Sequence, residues 1–156
     1  MEILQINGNI LDATTDVIAH QVNCQGVMGA GLAKQIRDKW PNVFTHYKDY
    51  CNRNTDEWGS IKDLLGSCQI IEFPDKYIAN LFGQDKYGRD KRYTNYDAIY
   101  TALNNLAVQM MDNGIESVAF PYGMSCGLAG GDWRIIMTMI ECVFENTNIR
   151  IEIWKL

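Results

Sequence analysis

One stretch limits what this chain can fold into more than any other. An apolar run, Val17-Ile18-Ala19, leads through His20-Gln21-Val22-Asn23-Cys24-Gln25 into a loop with three glycines in six residues, Gly26, Gly29 and Gly31. A helical pattern follows from Leu32 to Trp40. A buried strand, a glycine loop and a helix start, in that order, let backbone N–H groups face an anion at the helix N-terminus. The rest of the chain has either to support that loop or to close over the same ligand.

The 156 residues predict one domain, 1–156, large enough to bury a core without metal or disulfide staples. At 47% hydrophobic and 21% charged the composition is that of a folded domain. A net charge of −5 argues against nonspecific binding to a nucleic-acid backbone, which needs a positive patch, and no direct sequence-specific nucleic-acid binding is expected. It leaves anionic small molecules open, because backbone amides hold phosphate without side-chain charge. Five cysteines, an odd number without a CxxC pair, and no secretory segment at Met1–Gln5 predict reduced thiols in a cytoplasmic protein. Two distant histidines, His20 and His46, give no metal-ligand pattern, and neither a metal nor a cofactor is expected. No apolar run approaches the ~20 residues of a membrane span.

In chain order, strands are expected at 2–6, 17–22, 68–73, 76–82, 115–120 and 149–154. Helices are expected at 32–40, from Pro41 to about Cys51, from Thr94 as N-cap to about Met110, and from Asp132 as N-cap to about Glu145. In the last of these Ile135, Ile136, Met139, Ile140 and Val143 are expected to face inward. Residues 83–93, charged and glycine-bearing, read as a mobile loop. Strands separated by helices predict an α/β fold with much parallel pairing.

A second glycine loop, Pro121-Tyr122-Gly123-Met124-Ser125-Cys126-Gly127-Leu128-Ala129-Gly130-Gly131, again follows a strand and precedes a helix. Two such loops on one sheet edge converge on one crevice. Neither is a phosphate-binding P-loop or a GxGxxG fingerprint, so the glycines by themselves suit tight turns as well as a diphosphate.

Together, the two loops about a hundred residues apart, with Asn80-Leu81-Phe82-Gly83-Gln84 and Thr94-Asn95-Tyr96, resemble the macro domain family. The resemblance is to the branch of ADP-ribose 1″-phosphate phosphatases and of ADP-ribosyl-glutamate and DNA-ADP-ribose hydrolases. It implies a three-layer fold, a mixed central sheet flanked by helices, with ADP-ribose or ADP-ribose 1″-phosphate as ligand. ADP-ribosylated macromolecules are the further partners it suggests. It puts the adenine near Asn9 and Ile10 and the diphosphate between Gly29-Ala30-Gly31 and Ser125-Cys126-Gly127-Leu128. The distal ribose falls near Asn23. Where many relatives have an aspartate beside the adenine, this chain has Asn9, which accepts a hydrogen bond without charge assistance. Tyr122 and Trp154 are further candidates for contact with adenine or ribose.

Three residues are candidates for the chemistry. In the resembled phosphatases a histidine at the position of His20 is a catalytic candidate, as general acid or base; the alternative is a buried histidine that holds the loop. Asn80 can bond a ribose or phosphate. Asp132 can act beside the second loop or simply cap its helix. Asp85, Arg89 and Asp90 lie in the 83–93 loop, where they either orient a terminal phosphate or are merely solvated. The hydrolase branches carry a lysine or an aspartate where this chain has Gln84 and Ala129, which counts against a lysine Schiff base unless Lys86 substitutes. Cys24 and Cys126 have no arginine close behind them and read as small loop residues. The implied activity is hydrolysis of ADP-ribose 1″-phosphate. A de-ADP-ribosylating hydrolase and a noncatalytic ADP-ribose reader are the alternatives.

Overall fold

The computed structural model describes residues 1–156. The strands are β1 (Glu2–Asn7), β2 (Val17–Val22), β3 (Cys68–Phe73), β4 (Lys76–Phe82), β5 (Ser117–Pro121) and β6 (Arg150–Lys155). The helices are α1 (Gly31–Lys39), α2 (Pro41–Arg53), α3 (Tyr96–Asp112) and α4 (Trp133–Phe144). One sheet has the order β1-β6-β5-β2-β4-β3; every pair is parallel except the β3–β4 hairpin. This is the mixed sheet that the resemblance implied.

The two faces of the sheet carry different cores. Strand residues alternate between them, as the two-residue period requires. Val17 and Ala19 of β2 join α3 and α4 through Ile99, Leu103, Leu106, Ile136, Ile140 and Phe144. Ile18 and Val22 join α1 and α2 through Ile36, Val43 and Tyr47. Two helical layers thus sandwich one sheet. No helix is long and apolar enough to cross a membrane.

Local chemistry sets the element ends. Pro41 opens α2, where its missing N–H costs nothing. Asp132 caps α4 by accepting from Arg134 N–H, as expected. The cap of α3 is Asn95, whose side chain accepts from Ala98 N–H, and not Thr94. Thr94 is buried instead, and donates to the Ser125 carbonyl at 2.7 Å. In α4 the buried stripe is Ile136, Ile140 and Phe144, while Ile135 is exposed. Met139 and Val143 are half-buried against the same core, so of the expected inward residues only Ile135 faces solvent.

The sheet also decides where a ligand can sit. β2 pairs with β4 along its full length, Val17 to Val22, but with β5 only at Val17–Val118 and Ile18–Ala119. Beyond Ile18 the two strands splay apart. The chain leaves β5 toward β6 on one side, and β4 lies beyond β2 on the other, so the splay falls where the strand order reverses. Crevices at the carboxyl ends of strands open at such points.

Candidate functional site

A cavity of about 590 Å³ fills the splay between β2 and β5. His20 to Asn23 form its floor, Gly29 to Ala33 one wall and Pro121 to Ala129 the other. Gln84, Tyr87, Gly88 and Arg89 add a third side. The structure therefore brings together His20, Asn23, Gly29, Ala30, Gly31, Ser125, Cys126, Gly127 and Leu128, and of the aromatic candidates Tyr122.

Both glycine walls present bare N–H groups. Those of Gly29, Ala30 and Gly31, and those of Ser125, Gly127 and Leu128, have no acceptor in the protein. Gly31 begins α1 at φ +58°, a left-handed conformation that bends the chain into the helix. Ser125 takes φ 71° without being glycine. It is held there by Thr94 and Gly131, which donate to its carbonyl, and by its own hydroxyl, which donates to Gln21.

No aspartate, glutamate or lysine borders the cavity, and Arg89 is its one charged side chain. Six free amides, a helix N-terminus and a guanidinium make it a site for an anion despite the chain's net charge of −5. No group of three or more His, Cys, Asp or Glu side chains is placed to hold a metal ion.

His20 is buried with 2% of its surface exposed, and its Nε2 lies 2.6 Å from Asn80 Oδ1. Burial lowers its pKa to about 4, against the opposing effect of the Asn80 hydrogen bond, so the ring is neutral at pH 7. A neutral ring can accept a proton but is no general acid at that pH. Asn80 is fully buried and does not border the cavity; its Nδ2 donates to Gln69 Oε1 at 3.1 Å. Asn23 is occupied in shaping the first loop: Nδ2 donates to the Val27 carbonyl, and Oδ1 accepts from Gln25 N–H and the Tyr47 hydroxyl.

Other candidates lie apart. Asp132 is outside the cavity lining, paired with Arg134 at 2.8 Å, whose hydrogen bonds hold its carboxyl below the usual range. Asn9 caps the short turn Ile10–Asp12 through Leu11 N–H, and Ile10 is buried in the α1/α2 core. Trp154 donates to Glu152, and its backbone carbonyl accepts from Tyr122 N–H, one residue from the cavity wall. None of these three borders the cavity. Lys86 is exposed and does not border it, whereas Gln84 does. Burial pushes the Cys24 thiol up to about 12 and the Cys126 thiol up to about 11, so neither is a thiolate at neutral pH.

The sequence reading passed over Gln21. Its Nε2 donates to Gln84 Oε1 at 2.8 Å and Thr94 Oγ1 at 3.0 Å, and its Oε1 accepts from Ser125. It ties the floor to the Pro121–Ala129 wall and to the Gln84 side. Its one signal was a polar residue near the end of an otherwise apolar central strand.

Fold and site define an α/β domain with a strand-end cavity built for an anionic ligand on two glycine loops. A family model described as Macro domain matches residues 19–140, and the chain belongs to that family. It is 31% identical over 145 residues to a DNA ADP-ribosyl glycohydrolase of Mycobacterium tuberculosis, covering 90% of this chain and 38% of that protein. It is 30% identical over 113 residues to an ADP-ribose 1″-phosphate phosphatase of Debaryomyces hansenii, covering 65% of this chain and 60% of the relative. The chain thus spans less than two thirds of either relative. Among solved structures, the macrodomain of Mycobacterium tuberculosis DarG superposes with a TM-score of 0.83 at 25% identity, over 97% of this chain and 96% of that one.

Proposed function

We propose that this domain binds ADP-ribose with the diphosphate between Gly29–Gly31 and Ser125–Leu128, and hydrolyses ADP-ribose 1″-phosphate. The observation that carries the reading is the set of six unpartnered backbone amides on two facing loops around a cavity free of carboxylates. Such a cavity holds a diphosphate by fixed dipoles that need no rearrangement on binding.

The phosphatase reading follows from what lines the cavity. Phosphoryl transfer needs positioning and electrostatic stabilisation more than covalent catalysis. Water attacks the terminal phosphorus, the bond from phosphorus to the ribose oxygen breaks, and ADP-ribose and inorganic phosphate leave. Arg89 and the free amides offset charge on the phosphoryl oxygens. The side chains at hand include a neutral histidine and exclude the lysine that a Schiff base requires.

A second reading, removal of ADP-ribose from DNA or protein, is favoured by the mycobacterial relative, whose similarity extends over 90% of this chain. Phosphate release from ADP-ribose 1″-phosphate tests the first reading. Turnover above that of a Gly127→Ala variant supports it. Release of ADP-ribose from modified DNA or protein, with no phosphate release, replaces it by the second. Binding without turnover of any of these substrates leaves an ADP-ribose reader.

A further inference from the structure

β1 is one edge of the sheet, and its outward side is open. Gly8 N–H donates to the Lys155 carbonyl at 2.9 Å, which fixes the phase of the β1–β6 ladder. In a parallel ladder one residue turns both backbone groups toward its neighbour strand and the next turns them away. Glu2, Leu4 and Ile6, in phase with Gly8, therefore bond to β6, while Ile3, Gln5 and Asn7 point N–H and C=O outward. No neighbouring strand or loop backbone meets those six groups. The opposite edge is partly closed, because Gln109 of α3 donates to the Cys68 carbonyl of β3 at 3.0 Å.

Exposed edges are commonly blunted by proline, by lysine, by a bulge or by a covering element. β1 has none of these. Glu2-Ile3-Leu4-Gln5-Ile6-Asn7 holds no proline or lysine, pairs with β6 residue for residue, and is charged only at Glu2. Its side chains are also apolar where a solvated edge is polar. Ile3 packs on the α3/α4 core. Leu4 and Ile6 point to the other face and belong to neither core; Ile6 is half-buried and Leu4 is 40% exposed.

We propose that this edge docks a second copy of the chain, β1 against β1 in antiparallel sense, about a two-fold axis through Gln5. The strand is its own complement in that register. Ile3 pairs with Asn7 of the second copy, Gln5 with Gln5, and Asn7 with Ile3, so every outward N–H and C=O finds a partner. Between these pairs Leu4 falls opposite Ile6 of the second copy, at the close spacing of a non-hydrogen-bonded pair. Trp154 lies beside Ile6 in the β1–β6 ladder, so Trp154, Ile6 and Leu4 of the second copy form one apolar row. No charged side chain lies between Ile3 and Asn7, and the two Glu2 carboxylates stand at opposite ends of the contact. A shift of two residues sets Glu2 opposite Ile6 in one direction and Leu4 opposite Gly8 in the other, so one register is selected. The cavity opens between β5 and β2, with β6 and β5 between it and this edge, and the contact holds whatever the cavity binds.

Sedimentation equilibrium reads the association directly. The mass should rise with protein concentration from 17.8 kDa toward twice that value. It should rise more readily at high salt, since each copy carries −5 and no ion pair joins the two. Amide hydrogen exchange at two concentrations should protect Ile3, Gln5 and Asn7 only in the concentrated sample, and Leu4 and Ile6 in both. Leu4→Lys sets an ammonium against Ile6 of the second copy, twice per dimer, and should weaken association at least about tenfold. Gln5→Pro removes an N–H that points away from β6, so the β1–β6 ladder stays whole while association falls. Leu4 is exposed enough to accept lysine without unfolding, so that variant decides even where the proline does not fold. Met111→Lys, at a 52% exposed position on α3, is the control and should leave association unchanged.

A mass that stays at 17.8 kDa up to the solubility limit overturns the proposal. So does association that survives Leu4→Lys, or that Met111→Lys removes, since either puts the contact on another face. Protection of Ile3, Gln5 and Asn7 that does not depend on concentration overturns it as well.

Discussion

Ser125 donates its hydroxyl to Oε1 of Gln21 at 2.6 Å, across 104 residues of sequence, and so fastens the second glycine loop to the end of β2. Gln21 then reaches Gln84 on the third side of the cavity and Thr94, which pairs with Gln84 behind it. Replacing it by leucine leaves the Ser125 hydroxyl without its acceptor and takes one donor each from Gln84 and Thr94, which keep their bonds to the Lys86 and Ser125 carbonyls. Gln21→Leu should lose about 1–3 kcal/mol of stability in urea unfolding and weaken ADP-ribose by spreading the loops. Unchanged stability would show that the three groups find other partners.

Ser125 itself is in a left-handed conformation that a β-branched residue strongly resists. Ser125→Gly keeps the backbone and loses only the hydroxyl. Ser125→Val should be the more destabilising of the two by at least about 1 kcal/mol, compared by thermal or urea unfolding.

The two walls are testable without disturbing the fold. A Cβ at Gly127 meets no protein atom within 4 Å, and its φ is not left-handed. Gly127→Ala should unfold at nearly the unaltered temperature yet bind ADP-ribose at least about tenfold more weakly, because the methyl group enters the space of the phosphate. Equal affinity in calorimetry would mean that the phosphate does not approach this backbone.

Arg89 gives the cavity its one charge. Arg89→Gln should weaken ADP-ribose about three- to tenfold at low salt and progressively less at high salt, with little effect on stability. A salt-independent loss would assign Arg89 to packing.

His20 ties stability to pH. Its folded pKa of about 4 is below the ordinary 6.5, so the unfolded chain binds the extra proton between these values. The native state is fully favoured above about pH 6.5 and loses stability as pH falls toward 4. Between pH 7.5 and 4.5 the unaltered protein should lose about 2 kcal/mol more than His20→Gln in urea unfolding. Equal losses would mean that the ring takes up its proton in the folded state.

What could be read from the residues was what repeats with a period or punctuates one. Val17–Val22, Cys68–Phe73 and Lys76–Phe82 form strands where alternation and apolar runs indicated them, and Pro41 starts α2 as its chemistry requires. The loops converge because each follows a strand of one parallel sheet. The polar connections were not legible. Nothing local marks Gln21 as a hub, since its partners lie 63, 73 and 104 residues away. Thr94 resembled a helix cap because threonine caps well, but its hydroxyl is taken by Ser125, and Asn95 does the capping. Asp132 satisfied the capping reading and stands outside the cavity. Asn80 was selected by motif, yet it acts on His20 from behind, out of reach of a ligand.

The most direct test of the account is a crystal structure with ADP-ribose bound. The account predicts both phosphates between Gly29–Gly31 and Ser125–Leu128, their oxygens accepting from the backbone N–H groups, with the distal ribose near Asn23. A diphosphate in contact with neither loop, or the ligand bound outside the β2–β5 splay, would contradict it.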